Sequence, residues 1–138
     1  MAIIATDWHI EPLPESAPAN TLSGVLRYGP LHNRMAPYVL VLVDGDDGKG
    51  WANIDIDGRV LRVIRRTSKT TGRDRRGDGV GLTQDTTLTD ASGAVVVRLK
   101  VTMKHFYEQY DSDWEEGTLT VTYRGVTQTL AVGGGFAN

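Results

Sequence analysis

Cysteine is absent from the 138-residue chain. That absence excludes disulfide frameworks, thiolate-ligated zinc, iron–sulfur clusters and thiol nucleophiles together. Long apolar runs are missing too, and none approaches the ~20 residues a membrane-spanning helix needs. The opening residues, Met-Ala-Ile-Ile-Ala-Thr-Asp-Trp, lack the charged n-region and the apolar length of a signal peptide. Localisation is left open on this basis, inclined towards the cytoplasm, and no membrane partner is expected. Helical spacing of apolar residues is found nowhere. Nor is there a Gly-x-Ser-x-Gly, Walker, Rossmann or His-Glu-x-x-His pattern, so the chain is read as non-enzymatic, with an uncharacterised hydrolase the remotest alternative.

What is present is alternation. A formal charge of −2, 40% hydrophobic and 23% charged residues describe one ordinary globular domain. Leu119, Val121 and Tyr123 alternate with threonines up to Arg124-Gly125, and Val126, Gln128, Leu130 and Val132 follow in phase. A two-residue loop pairs Tyr123 with Val126 and Leu119 with Leu130 on one face. Asp57-Gly58 is a second strong turn signal, pairing Ile54 with Leu61 and Ala52 with Val63. Tyr38–Val43 reads as an interior strand, and Thr21–Tyr28 and Val80–Thr89 as two more.

Ala94–Tyr110 alternates for seventeen residues, with Val95 to Tyr107 at odd positions on one side. Extended, it spans about 55 Å, too long for one regular strand in such a domain, so it bends, bulges or projects. The sum is an all-β single domain over 1–138, an antiparallel β-sandwich or closed β-barrel of about eight strands with a basic hairpin arm. Residues 11–18 read as a Pro-rich lead-in, 67–79 as a flexible basic loop, and 133–138 as a Gly-rich tail, mobile unless Phe136 docks.

Charge is unevenly placed. Arg59 to Arg76 holds eight basic residues and one acid, while the remainder holds seven bases and sixteen acids. Arg62, Arg65, Arg66, Lys69, Arg73, Arg75 and Arg76 are therefore the candidate anion- or partner-binding residues, arginine being suited to bidentate contacts. The plain alternative is a solvated loop. Nucleic acid is a possible partner, but the segment has no interleaved aromatic for base stacking. An acidic protein, or a second copy of this chain in a homo-oligomer, is the other reading. Arg76-Gly77-Asp78 matches an integrin-binding tripeptide and is read as a chance match.

Two acidic clusters, Asp44, Asp46 and Asp47 and then Asp111 and Asp113 with Glu115 and Glu116, are weak calcium candidates, and no cofactor is otherwise expected. Asn53 to Asp57 imitates the start of an EF-hand loop but has Ile64 where the closing Glu belongs. A small-ligand β-barrel of lipocalin-like architecture is the alternative function, with Trp51, Met103, His105, Tyr107 and Trp114 as pocket candidates.

Overall fold

The computed structural model describes residues 8–13, 24–28, 38–43, 50–74, 76–110 and 112–137, with the backbone alone at 24–28, 38–43, 110, 112 and 135–137. The all-β expectation holds. Nine strands form, β1 (Ile10–Glu11), β2 (Gly24–Tyr28), β3 (Tyr38–Val43), β4 (Trp51–Ile56), β5 (Arg59–Gly72), β6 (Leu82–Thr89), β7 (Val95–Tyr107), β8 (Ser112–Tyr123) and β9 (Val126–Ala137). All the pairings are antiparallel, and the sheet is a curled, barrel-like meander in which each strand from β2 to β9 pairs on both sides. β1 adds to the edge of β4 through Ile10 and Glu11.

Both hairpins take the register that their alternation dictates. Tyr123 lies opposite Val126 and Leu119 opposite Leu130, while Ile54 meets Leu61 and Ala52 meets Val63. Asp57 (φ 54°) and Arg124 (φ 51°) both take the left-handed conformation that tight hairpin turns require. In each pair the apolar side faces inward, and Ala52, Ile54, Val63, Leu119 and Val121 are fully buried with Val97 and Leu88.

The long alternating segment bulges. Register shifts between Met103 and His105, and a 3-10 turn (Glu108–Tyr110) follows the strand. One extra residue reverses the facing of everything after it. His105 and Tyr107 therefore leave the side of Val101, and His105 is exposed. Three other segments are more regular than their composition implies. β5 runs to Gly72, so most of the basic loop's first half is strand paired with β6. Asp113 and Gly117, of residue types that commonly end a strand, lie within β8. The glycine run is strand as well, because Gly133, Gly134 and Gly135 pair with β8 on one side and β2 on the other. Residues 14–18 of the Pro-rich lead-in lie outside the described residues, as do Thr21–Ser23.

Gly117 marks a close approach. A Cβ there would run into the Lys100 carbonyl of β7, so only glycine lets the two strands meet at this point. At one end of the sheet lie the turns at Asp57-Gly58, Asp90–Gly93 and Arg124-Gly125. Trp8 closes that end. Its ring is fully buried, its Nε1 donates to the Tyr123 carbonyl at 2.9 Å, and its own carbonyl accepts from Gln128 Nε2 at 2.9 Å. His9 N donates to Asp57 Oδ1 at 2.7 Å and the Asp57 amide donates back to the His9 carbonyl at 2.9 Å.

Candidate functional site

The β5–β6 hairpin carries the basic residues outward. Arg62, Arg66, Lys69, Arg73 and Arg76 are exposed and Arg65 is half-buried; Arg75 lies outside the described residues. A bulge between Arg65 and Thr67 accommodates Arg66, whose Nε donates to Thr89 Oγ1 at 2.8 Å. Beyond it, one outward row runs Lys69, Asp85, Lys100 and Thr118 across β5 to β8. Arg98 reaches Asp85 diagonally with both ends of its fork, at 3.0 and 2.6 Å. That guanidinium, with Lys100 and Lys69 behind it, holds the Asp85 carboxyl below its ordinary range. Three cations thus surround one carboxylate, and the outer face keeps positive charge to spare.

The connecting loop is not detached from the body. The Gly81 amide donates to the Met103 carbonyl at 2.9 Å, and a Cβ on Gly79 (φ 91°) would lie 3.0 Å from Met103 Cε. Asp78 Oδ1 accepts the Val80 amide at 3.0 Å, so the aspartate of the Arg-Gly-Asp tripeptide is used inside its own turn. Arg62 stacks on Trp51, with the guanidinium carbon 3.8 Å from the ring centroid. Cross-strand pairing of β4 with β5 thus supplies an aromatic beside the basic stretch, which lacks one in sequence.

The five pocket candidates do not line one cavity. Trp114 lies opposite His105 in the ladder, and the His105 and Tyr107 rings meet edge to face at 4.4 Å. Trp114 is buried, its Nε1 donating to Glu116 Oε1 at 3.1 Å. Those three share the outward side. Met103, before the bulge, belongs to the inward side with Val101, and Trp51 stands on β4.

The calcium candidates Asp44, Asp46, Asp47 and Asp111 fall outside the described residues, and among those described no group of three potential metal ligands comes together. Asp113 does not sit in a loop. It is buried in β8, two residues from the equally buried Glu115. Burial, and then the neighbouring Asp113 charge, push the Glu115 carboxyl up to about 7.

A cleft of about 280 Å³ opens at the turn end, floored by Ile56, Leu61, Val95 and Tyr123 and rimmed by Arg59 and Arg124. Asp90, also in its wall, accepts from the Val95 amide at 3.1 Å and from Ser92 Oγ at 2.8 Å. Against the burial that would raise it, these bonds hold its carboxyl low. The cleft's carboxylates are thus committed to the turns.

No protein-family model, curated protein or solved structure matches this chain. Function is therefore argued from the residues alone. Sequence reasoning missed Trp8 and the burial of Glu115. Trp8 precedes the first alternating segment and gives no periodic signal. Glu115 sits in an acidic run that reads as solvated, although its spacing from Leu119 is even, which for one continuous strand means the same face.

Proposed function

We propose that this protein is a non-enzymatic binding or assembly module whose basic β5–β6 hairpin engages an acidic partner, a second copy of the chain among the acidic surfaces available. The observation that carries this reading is the exposure of Arg66, Lys69, Arg73 and Arg76 along one hairpin, beside an outer face where Arg98 and Lys100 outnumber Asp85. Opposed patches steer association and make it salt-dependent. Replacing Arg73, Arg75 and Arg76 with Ala is expected to preserve the thermal midpoint. The same change weakens self-association or retention on an anionic matrix, most at low salt. Solution mass at two salt concentrations reads the first effect directly. Unchanged mass together with unchanged retention refutes the proposal.

The Trp51–Arg62 stack favours a second reading, a single-stranded nucleic acid laid along β5. Aromatic and guanidinium faces both accept bases. Titration with an oligonucleotide separates the two. Quenching of tryptophan fluorescence that disappears in Trp51→Leu points to nucleic acid, and its absence leaves the acidic-protein reading.

A further inference from the structure

The cleft of about 280 Å³ at the turn end is walled by all three turns, and each of them is pinned. Asp57-Gly58 is tied to His9 through both the amide and the carboxylate of Asp57. In the second turn the Asp90 amide donates to the Val95 carbonyl at 3.2 Å and the Gly93 amide to the Asp90 carbonyl at 3.1 Å. Beside Arg124-Gly125, the Tyr123 carbonyl accepts Trp8 Nε1, and the two rings meet edge to face at 6.0 Å. A site whose walls are fixed before binding loses little freedom when it fills.

The charged groups of this wall differ in what is left for a ligand. Asp57 Oδ1 already accepts the His9 amide. Asp90 accepts the Val95 amide and Ser92 Oγ, and Ser92 Oγ in turn accepts the Ala94 amide at 3.3 Å. Arg59 and Arg124 carry no such bonds. Both are exposed, and among the described residues neither makes a hydrogen bond or an ion pair through its side chain. The Arg124 guanidinium lies over the Tyr123 ring, 5.0 Å from its centroid. Below the two arginines the floor is apolar. Ile56 and Val95 belong to the core, with Leu61 and Tyr123 packed against it.

We propose that the turn-end cleft binds a small monocarboxylate with an apolar body, its carboxylate held by Arg59 and Arg124 and its hydrocarbon part laid on Leu61, Val95 and Tyr123. A guanidinium offers a carboxylate two parallel N–H donors. The cleft falls just below the span of about 300–1,000 Å³ usual for small-molecule sites, so its occupant is small. Asp57 and Asp90 offset the two arginines in formal charge, which favours a monoanion over a more highly charged phosphate ester. The site is separate from the basic connecting loop, because Arg59 opens β5 and the loop follows the other end of that strand at Gly72.

The test uses the full chain with sodium phenylacetate as the probe, beside phenethyl alcohol, sodium acetate and phenethylammonium chloride. Calorimetry is expected to show saturable phenylacetate binding that weakens as salt is added. The thermal midpoint rises with phenylacetate, because only the folded state binds. Phenethyl alcohol keeps the apolar body without the charge, and acetate keeps the charge without the body. Each is expected to bind more weakly by roughly tenfold or more. Arg59→Gln and Arg124→Gln each lower phenylacetate affinity by roughly fivefold, the scale of one exposed ion pair. Should either variant fail to fold, amide chemical shifts of the wild type still decide. Phenylacetate moves the signals of Asp90, Gly93, Val95, Arg124 and Gly125 and leaves those of Lys69 and Arg73 in place. No saturable binding, equal binding of the alcohol or of acetate, tighter binding of phenethylammonium, unchanged affinity in both arginine variants, or shifts centred on Arg73 and Arg76 each overturns the assignment.

Discussion

Glu115 ties the protein's stability to pH in an unusual direction. Its carboxyl is raised when folded, from 4.5 to about 7, so the folded state binds more protons than the unfolded one between those values. Stability from this residue is complete below the unfolded value and is lost as pH climbs through the folded one. Glu115→Gln removes the loss. The variant is expected to match the wild type near pH 4.5 and to exceed it at pH 8.5, by on the order of 2–3 kcal/mol. Urea unfolding at the two pH values checks this, and parallel pH profiles would refute it. At the turn end, Trp8→Ala removes a fully buried indole and its hydrogen bond to the Tyr123 carbonyl. A loss of about 3–5 kcal/mol is expected, as for large aromatic truncations elsewhere. Neither residue announces itself in sequence. Trp8 follows no period, and Glu115 takes its meaning from burial, which alternation hints at but does not establish.

Strands and turns were the readable level. Period-two alternation placed both hairpins in their observed registers, because a slip of one residue would move every apolar side chain to the solvent side. The bulge in β7 was not readable. Val95 to Tyr107 alternates without a break, and only the ladder with β8 reveals that Lys104 is the inserted residue. His105, in phase with Val101 in the sequence, is therefore exposed on the opposite side. The glycine run misled for a related reason. Glycine carries no alternation, so nothing in 133–135 advertises a strand that is held by its neighbours on both sides. At Gly117 the element-level prediction is sharp. Ala at this position must push β7 away from β8, and Gly117→Ala is expected to destabilise the fold by about 1–3 kcal/mol, the usual range for overpacking. A chemical-denaturation midpoint equal to the wild type's would show that the strands can part at no cost.

At the scale of the molecule, the sheet derives its order from contacts that are distant in sequence, and these are what single-sequence reasoning reaches last. The pairing of β2 with β9 joins residues 24–28 to 132–136, and no local pattern foretells it. Opening should be uneven for the same structural reason. Amides of Val97, Leu99, Leu119 and Val121, residues themselves fully or nearly fully buried in central strands, are expected to exchange slowest with solvent. Those of Arg73, Asp74, Arg76 and Gly77, exposed in the connecting loop, should exchange fastest. Hydrogen-exchange mass spectrometry resolves the two groups, and comparable protection in both would contradict the layering described above.

The β2–β9 ladder also bears on how the protein is made. β2 is synthesised more than a hundred residues before its second partner, so one of its edges stands unpaired while the ribosome completes the chain. At about 5–20 residues per second that wait lasts roughly 5 to 20 seconds. During it, the growing polypeptide exposes a strand edge of the kind that invites pairing with the wrong chain. Folding of this sheet is therefore finished only after β9 emerges, and the nascent chain is the stage at which a chaperone would matter most.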